Sequence, residues 1–290
     1  MMKKQTIKDL YLAFSLKNHA EGSHAPGSYV TAMDIIDIAC HQNNFFLEAN
    51  ESVWDICDAK RLTKLYEIIK KEIKKDNGGI FRDIKTKSYW QNNYCSAAVG
   101  EFTKFLILTE RESIMLQKFE TINDAQKLTQ ELDKIGIVRN TLLISDNRNT
   151  IDVNSREGQE KLAEVMVRQN QNVFRKMILS MYEAKCCLTG LPIEEVLRAS
   201  HISAWADDDK NRMNPENGLC LSATYDAAFD RHLISFDEDY RLIFAPSLKE
   251  HCTNEAFKEQ FQRLHGKKIT MPIKFLPSQE LLAKHREHLA

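Results

Sequence analysis

The chain has 290 residues, with 40 basic side chains against 41 acidic ones. An apolar share of 43% and a charged share of 28% place it among soluble globular proteins and exclude collagen-like, disordered and disulfide-framework classes. With only 10 Gly and 6 Pro, long helices are expected rather than a sandwich or barrel of many tight turns, and the near-zero net charge gives no support to a uniformly basic nucleic-acid binder.

In chain order, residues 3–19 carry Leu10, Ala13, Phe14 and Leu16 at helical spacing and predict a short amphipathic helix. The segment HAPGSY reads as a break. A second helix is expected over Ser28–His41, with Ser28 as its N-cap. One or two helices follow over 51–75 and end at Asp76-Asn77-Gly78-Gly79, a helix-stop and turn signal. Another helix covers 88–107, and a last pair covers roughly 110–135. Residues 137–154 read as a short strand or an extended linker. These elements predict a mostly helical domain over 1–145, suited to recognition, regulation or dimerisation.

One charge excess stands inside that half. Residues 60–87 hold ten Lys or Arg against four Asp or Glu, a local +6. Lys70, Lys71, Lys74, Lys75 and Arg82 are its candidate phosphate contacts, with Phe81, Tyr89 and Trp90 beside them. A solvated helix face is the other reading of such a run.

The chemistry-bearing stretch is 185–246. VLRASHI predicts a strand ending at His201, and a polar loop with Trp205, Asp207, Asp208, Asp209 and Arg212 follows. Asn217-Gly218 is a turn, and LCLS is a second strand. Asp226 and Asp230 are four residues apart, so on a helix they share a face. Asp237-Glu238-Asp239 then joins two short strands as a hairpin. Two carboxylates one turn apart suit a hard cation that keeps its waters. A neutral His can deprotonate water near pH 7, and a metal can neutralise charge on a phosphate.

These residues resemble the HNH endonucleases and their ββα-metal motif. The finer likeness is to a bacterial branch that reads Cys-x-x-Thr-Gly, Ala-x-His-Ile, Asn-Gly-Leu-x-Leu and Asp/His-x-x-Phe-Asp. Here the matching residues are Cys186 to Gly190, Ala199 to Ile202, Asn217 to Leu221 and Asp226 to Asp230. Upstream, Arg168 to Arg175 is similar to that branch's helix before the motif. Downstream, Lys268 to Pro272 and Pro277 to Arg286 are similar to its C-terminal extension. The resemblance implies an α+β protein: a mostly helical N-terminal domain plus a C-terminal ββα-metal (HNH) nuclease domain over 160–290, with its motif core at 185–246.

It also implies roles. His201 is the expected general base, and Asn217 braces the loop that holds it. Asp226 and Asp230 fall at metal-ligand positions, with Mg²⁺ or Mn²⁺ as the cofactor. Ser200 stands where the family's first metal ligand is Asp or His. Ser is a poor ligand, so the load shifts to Asp226, Asp230, waters and the scissile phosphate. Arg212, Arg231 and His232 are candidate phosphate contacts, while His251, His285 and His288 are expected on the surface. The expected reaction is divalent-metal-dependent hydrolysis of DNA to 5′-phosphate and 3′-hydroxyl ends, in restriction or phage defence, by a homodimer.

Two further readings stay open: a DNA-binding or assembly module of HNH fold without activity, and a ligand-gated nuclease with the helical half as sensor. Seven Cys without metal-clasp spacing predict no structural zinc, with Cys186 a small buried side chain. No apolar run reaches the ~18–20 residues of a membrane span, and the first residues lack a leader-like apolar core, so a reducing cytoplasm is expected.

Overall fold

A computed structural model describes residues 6–136 and 156–289. The fold is α+β. The helices are α1 (Ile7–Asn18), α2 (Ala25–Gln42), α3 (Ala59–Ile73), α4 (Lys87–Gln91), α5 (Tyr94–Thr121), α6 (Ala125–Gly136) and α7 (Arg156–Met181). Then come β1 (Leu197–His201), β2 (Gly218–Ser222), α8 (Ala223–Asp230), β3 (Ile234–Phe236), β4 (Leu242–Phe244), α9 (Glu255–Gln260) and α10 (Gln279–Glu287). The strand or linker expected at 137–154 lies outside the described residues.

The chain forms two compact units. Of the described residues, 6–111 with 156–165 make one, and 112–136 with 166–289 make the other. The expected domain limit near 145 falls outside the described residues, and the helical turns at 112–136 group with the second unit.

The first unit is a helical core. α1 opens with a capping box: the Thr6 hydroxyl accepts the Asp9 N–H at 3.2 Å, and the Asp9 carboxylate accepts the Thr6 N–H at 3.1 Å. Its inward face is Tyr11 and Ser15, whereas Leu10 and Leu16 are 42% and 59% exposed, so the face expected from Leu10 and Leu16 is corrected. α2 starts at Ala25, three residues before the expected Ser28 cap. The supposed break is a helix start, because Pro26 sits in the first turn, where a missing N–H costs nothing. α2 buries Tyr29, Ala32, Met33, Ile36, Ala39 and Cys40, a stripe at 3.6 spacing, and α3 buries Leu62, Leu65, Tyr66 and Ile69. The helix expected over 88–107 is broken at Asn92 and Asn93, with Asn93 in the left-handed region at φ 63°. α5 then runs on to Thr121, taking in the first half of the pair expected at 110–135.

The second unit packs α7, through Val173, Phe174, Met177 and Ile178, against a small sheet and α8. β1 and β2 are antiparallel, in a register that sets Ala199 opposite Cys220 and His201 opposite Gly218. Gly218 is a close-approach position: a Cβ there would lie 2.8 Å from Phe174 Cζ and closer still to Ile178 Cδ1. Only a residue without a side chain lets α7 press on the strand pair at this point. β3 and β4 form the expected hairpin. Its turn is fixed by the Asp237 carboxylate, which accepts the Asp239 N–H at 2.9 Å and the Arg241 N–H at 2.7 Å.

Candidate active site

A cleft of about 940 Å³ in the second unit is bordered by Ser200 and His201 from β1, Trp205 from the following loop, and Asp226 and Asp230 from α8. The local sequence explains the convergence. β1 ends on His201, β2 brings the chain back beside it, and α8 starts directly after β2. Asp226 in the first turn of α8 and Asp230 at its end therefore share one helix face.

His201 is half-buried and held on several sides. Its ring stacks on Phe174, with centroids 3.9 Å apart and planes at 14°. Trp205 meets it edge-on at 5.3 Å and 83°. Nε2 lies 3.2 Å from the Arg212 carbonyl, which can only accept, so Nε2 carries the proton and Nδ1 keeps its lone pair. Burial pushes the His201 pKa below the ordinary 6.5, against the opposing pull of that carbonyl. The imidazole is therefore neutral at neutral pH, the state a proton acceptor needs.

Asn217 is fully buried and laces the loop between the strands. Its Oδ1 accepts the Ser203 N–H at 2.7 Å, and its Nδ2 donates to the Ser203 and Asn211 carbonyls at 3.1 and 3.0 Å. It is not among the residues bordering the cleft, and its side-chain hydrogen bonds all go to that loop. Ser200 is 2% exposed, and its hydroxyl donates to Asp226 Oδ1. That bond fixes the carboxylate from the strand side. Burial, and then the Asp226 charge beside it, raise the Asp230 pKa above the ordinary carboxylate value.

Residues 186–237 match the family model for HNH endonuclease. No curated protein matches the chain. The matched HNH segment holds Ser200, His201, Asn217, Asp226 and Asp230. Phe174 on α7 and the α10 residues bordering the cleft lie outside the matched stretch. HNH nucleases generally use divalent metals. Among the described residues, no group of three or more His, Cys, Asp or Glu is arranged to hold a metal ion. The HNH segment offers instead two carboxylates one turn apart. That set suits Mg²⁺ or Mn²⁺, which retain waters and complete their shell on a substrate phosphate.

The remaining expected contacts are placed as follows. The Arg212 guanidinium donates from Nε to the Trp205 carbonyl at 2.7 Å, pairs with Asp209 at 2.5 Å and lies over the Trp205 ring at 5.6 Å. It braces the loop and is not among the residues bordering the cleft. Lys70, Lys71, Lys74, Lys75 and Arg82 belong to the first unit. There Lys70 sits over the Tyr66 ring, Lys75 pairs with Glu72 and Arg82 pairs with Asp83. Cys186, Cys187 and Cys220 are buried thiols of the HNH segment, and burial raises the pKa of Cys187 and Cys220. No helix among the described residues is long and apolar enough to cross a membrane.

His285 corrects a surface expectation: it is 5% exposed and stacks on Phe229 at 3.8 Å and 4°. Nδ1 pairs with the Ser235 hydroxyl at 3.0 Å, and Nε2 with the Phe229 carbonyl at 3.1 Å, tying α10 to the end of α8. The sequence carried no signal for this, because the partners lie fifty residues away. Burial, reinforced by the neighbouring His232, lowers its pKa to about 4. The unfolded chain takes up this proton near pH 6.5 and the folded chain only near pH 4, so stability falls as pH drops between those values. The loss is about 3 kcal/mol at the low end. Thermal unfolding at pH 7 and pH 4.5 is expected to show a steeper acid loss for the wild type than for His285→Gln. Equal losses would contradict this account.

Proposed function

We propose that this cleft hydrolyses DNA phosphodiester bonds with the help of a divalent cation. The observation that carries the reading is His201: Nε2 is committed to the Arg212 carbonyl, which leaves a neutral Nδ1 as acceptor in the cleft that Asp226 and Asp230 border. Asp226 and Asp230 would hold Mg²⁺ or Mn²⁺. A bound cation of this kind offsets charge on the phosphate and on the leaving oxygen. His201 Nδ1 takes the proton of the attacking water as its oxygen bonds to phosphorus and the phosphorus–O3′ bond breaks. The departing 3′ oxygen takes a proton from solvent to become the 3′-hydroxyl, and the imidazolium keeps its Nε2 bond to the Arg212 carbonyl.

Ser200 orients Asp226, and Asn217 keeps loop 203–211 in the shape that presents the Arg212 carbonyl. Both are positioning residues. In this reading Lys70, Lys71, Lys74, Lys75 and Arg82 are phosphate contacts made by the first unit on its own.

Incubation with end-labelled duplex DNA in Mg²⁺ or Mn²⁺ tests the substrate and the bond broken. The expected products carry 5′-phosphate and 3′-hydroxyl ends. Intact DNA in both metals would overturn the proposal.

A further inference from the structure

We infer that Phe174 and Trp205 form an aromatic slot that sets the plane of the His201 imidazole, and that both are positioning residues for proton transfer at Nδ1. The inference rests on the reading of His201 as the base. The torsion that turns a His ring about its Cβ–Cγ bond is broad and roughly two-fold, so the side chain alone does not choose a ring plane. Two constraints choose it here. The parallel stack on Phe174 leaves one plane. The Arg212 carbonyl then selects, of the two flips in that plane, the one that directs Nε2 away and leaves Nδ1 free.

The slot's walls are themselves fixed. Phe174 is 1% exposed on α7 and packs over Gly218, the residue opposite His201 in the strand register. The Trp205 side of the slot is held through Arg212, whose side chain binds the Trp205 carbonyl and covers its ring. One residue thus clamps both the acceptor for Nε2 and the wall beside the ring. Core packing alone accounts for the burial of Phe174. It does not account for a half-buried imidazole lying parallel to that ring while an indole on a polar loop meets it edge-on.

Chemical rescue separates a slot from ordinary packing. In the full chain, His201→Gly is expected to lose cleavage in Mn²⁺ and to regain it, saturably, with added free imidazole. Phe174→Leu in that background should raise the half-saturating imidazole concentration by about 3–10-fold, the worth of one aromatic pair. Trp205→Leu should do the same, and Trp205→Phe should restore much of the difference. With His201 present, Phe174→Leu should lower kcat by about 10–100-fold with KM nearly unchanged, as a misplaced catalytic group does.

Unfolding of Phe174→Leu would leave the Trp205 pair, at a half-buried loop position, as the deciding comparison. Equal half-saturation in all backgrounds, or no rescue of His201→Gly, overturns the slot. Full cleavage by His201→Gly without imidazole overturns the base reading, and the slot with it.

Discussion

Replacing His201 by Ala is expected to lower the single-turnover rate of DNA cleavage by about 10²–10⁴-fold, the usual worth of a positioned base. The size follows from the cleft. His285 also borders the cleft with Nε2 on a backbone carbonyl, but its Nδ1 is taken by the Ser235 hydroxyl, so it offers no free nitrogen in place of His201. The fold should persist, because Asn217 still laces the loop and the Phe174 contact with Gly218 is independent of the imidazole. Circular dichroism and thermal unfolding check that. The wild-type rate should also report the depressed His201 pKa. A lowered pKa keeps the base neutral to lower pH, so the rate falls through a midpoint below 6.5 as acid is added. A midpoint above 6.5 would contradict the burial argument.

The second large effect is expected at Asp226. Asp226→Asn keeps an oxygen for the Ser200 hydroxyl but removes the charge a cation needs. Cleavage should fall by about 10²–10³-fold, equivalent to several kcal/mol of lost charge stabilisation, and the metal concentration for half activity should rise. Asp230 provides an independent reading. Its pKa is raised first by burial and then by the Asp226 charge, so removing that charge should lower it. A carbon-detected NMR titration of Asp230 in both proteins measures the change. An unmoved Asp230 together with unchanged metal dependence would contradict the shared-site account.

Much of the HNH segment was legible because its signals are local. The strand ending at His201, the four-residue spacing of Asp226 and Asp230 and the Asp237 hairpin each depend on a few neighbouring residues. The turn expected at Asn217-Gly218 is corrected: a single 3-10 turn covers Pro215–Asn217, and Gly218 is already extended as the first residue of β2. What surrounds the site was not legible. Phe174 reaches His201 from α7, and His285 reaches Phe229 across fifty-six residues. Neither distance leaves a pattern in composition or periodicity. Arg212 has the charge of a phosphate contact, yet Asp209 and the Trp205 carbonyl claim its guanidinium. The α1 face departs from its sequence pattern because Ser15 turns inward while Leu10 and Leu16 turn out, a reversal that only the packing around Tyr11 settles. In α2, Pro26 has the look of a breaker in the sequence, yet the first helical turn accepts it. The net charge of −1 hides the +6 of residues 60–87 and the −4 of residues 175–250.

The most direct test is a chelation and add-back assay on supercoiled plasmid, run with wild type and His201→Ala side by side. The account predicts that EDTA stops cleavage by the wild type, that excess Mg²⁺ or Mn²⁺ restores it, and that His201→Ala stays silent in the same metals. Cleavage that persists in EDTA, or that His201→Ala performs at the wild-type rate, would contradict it.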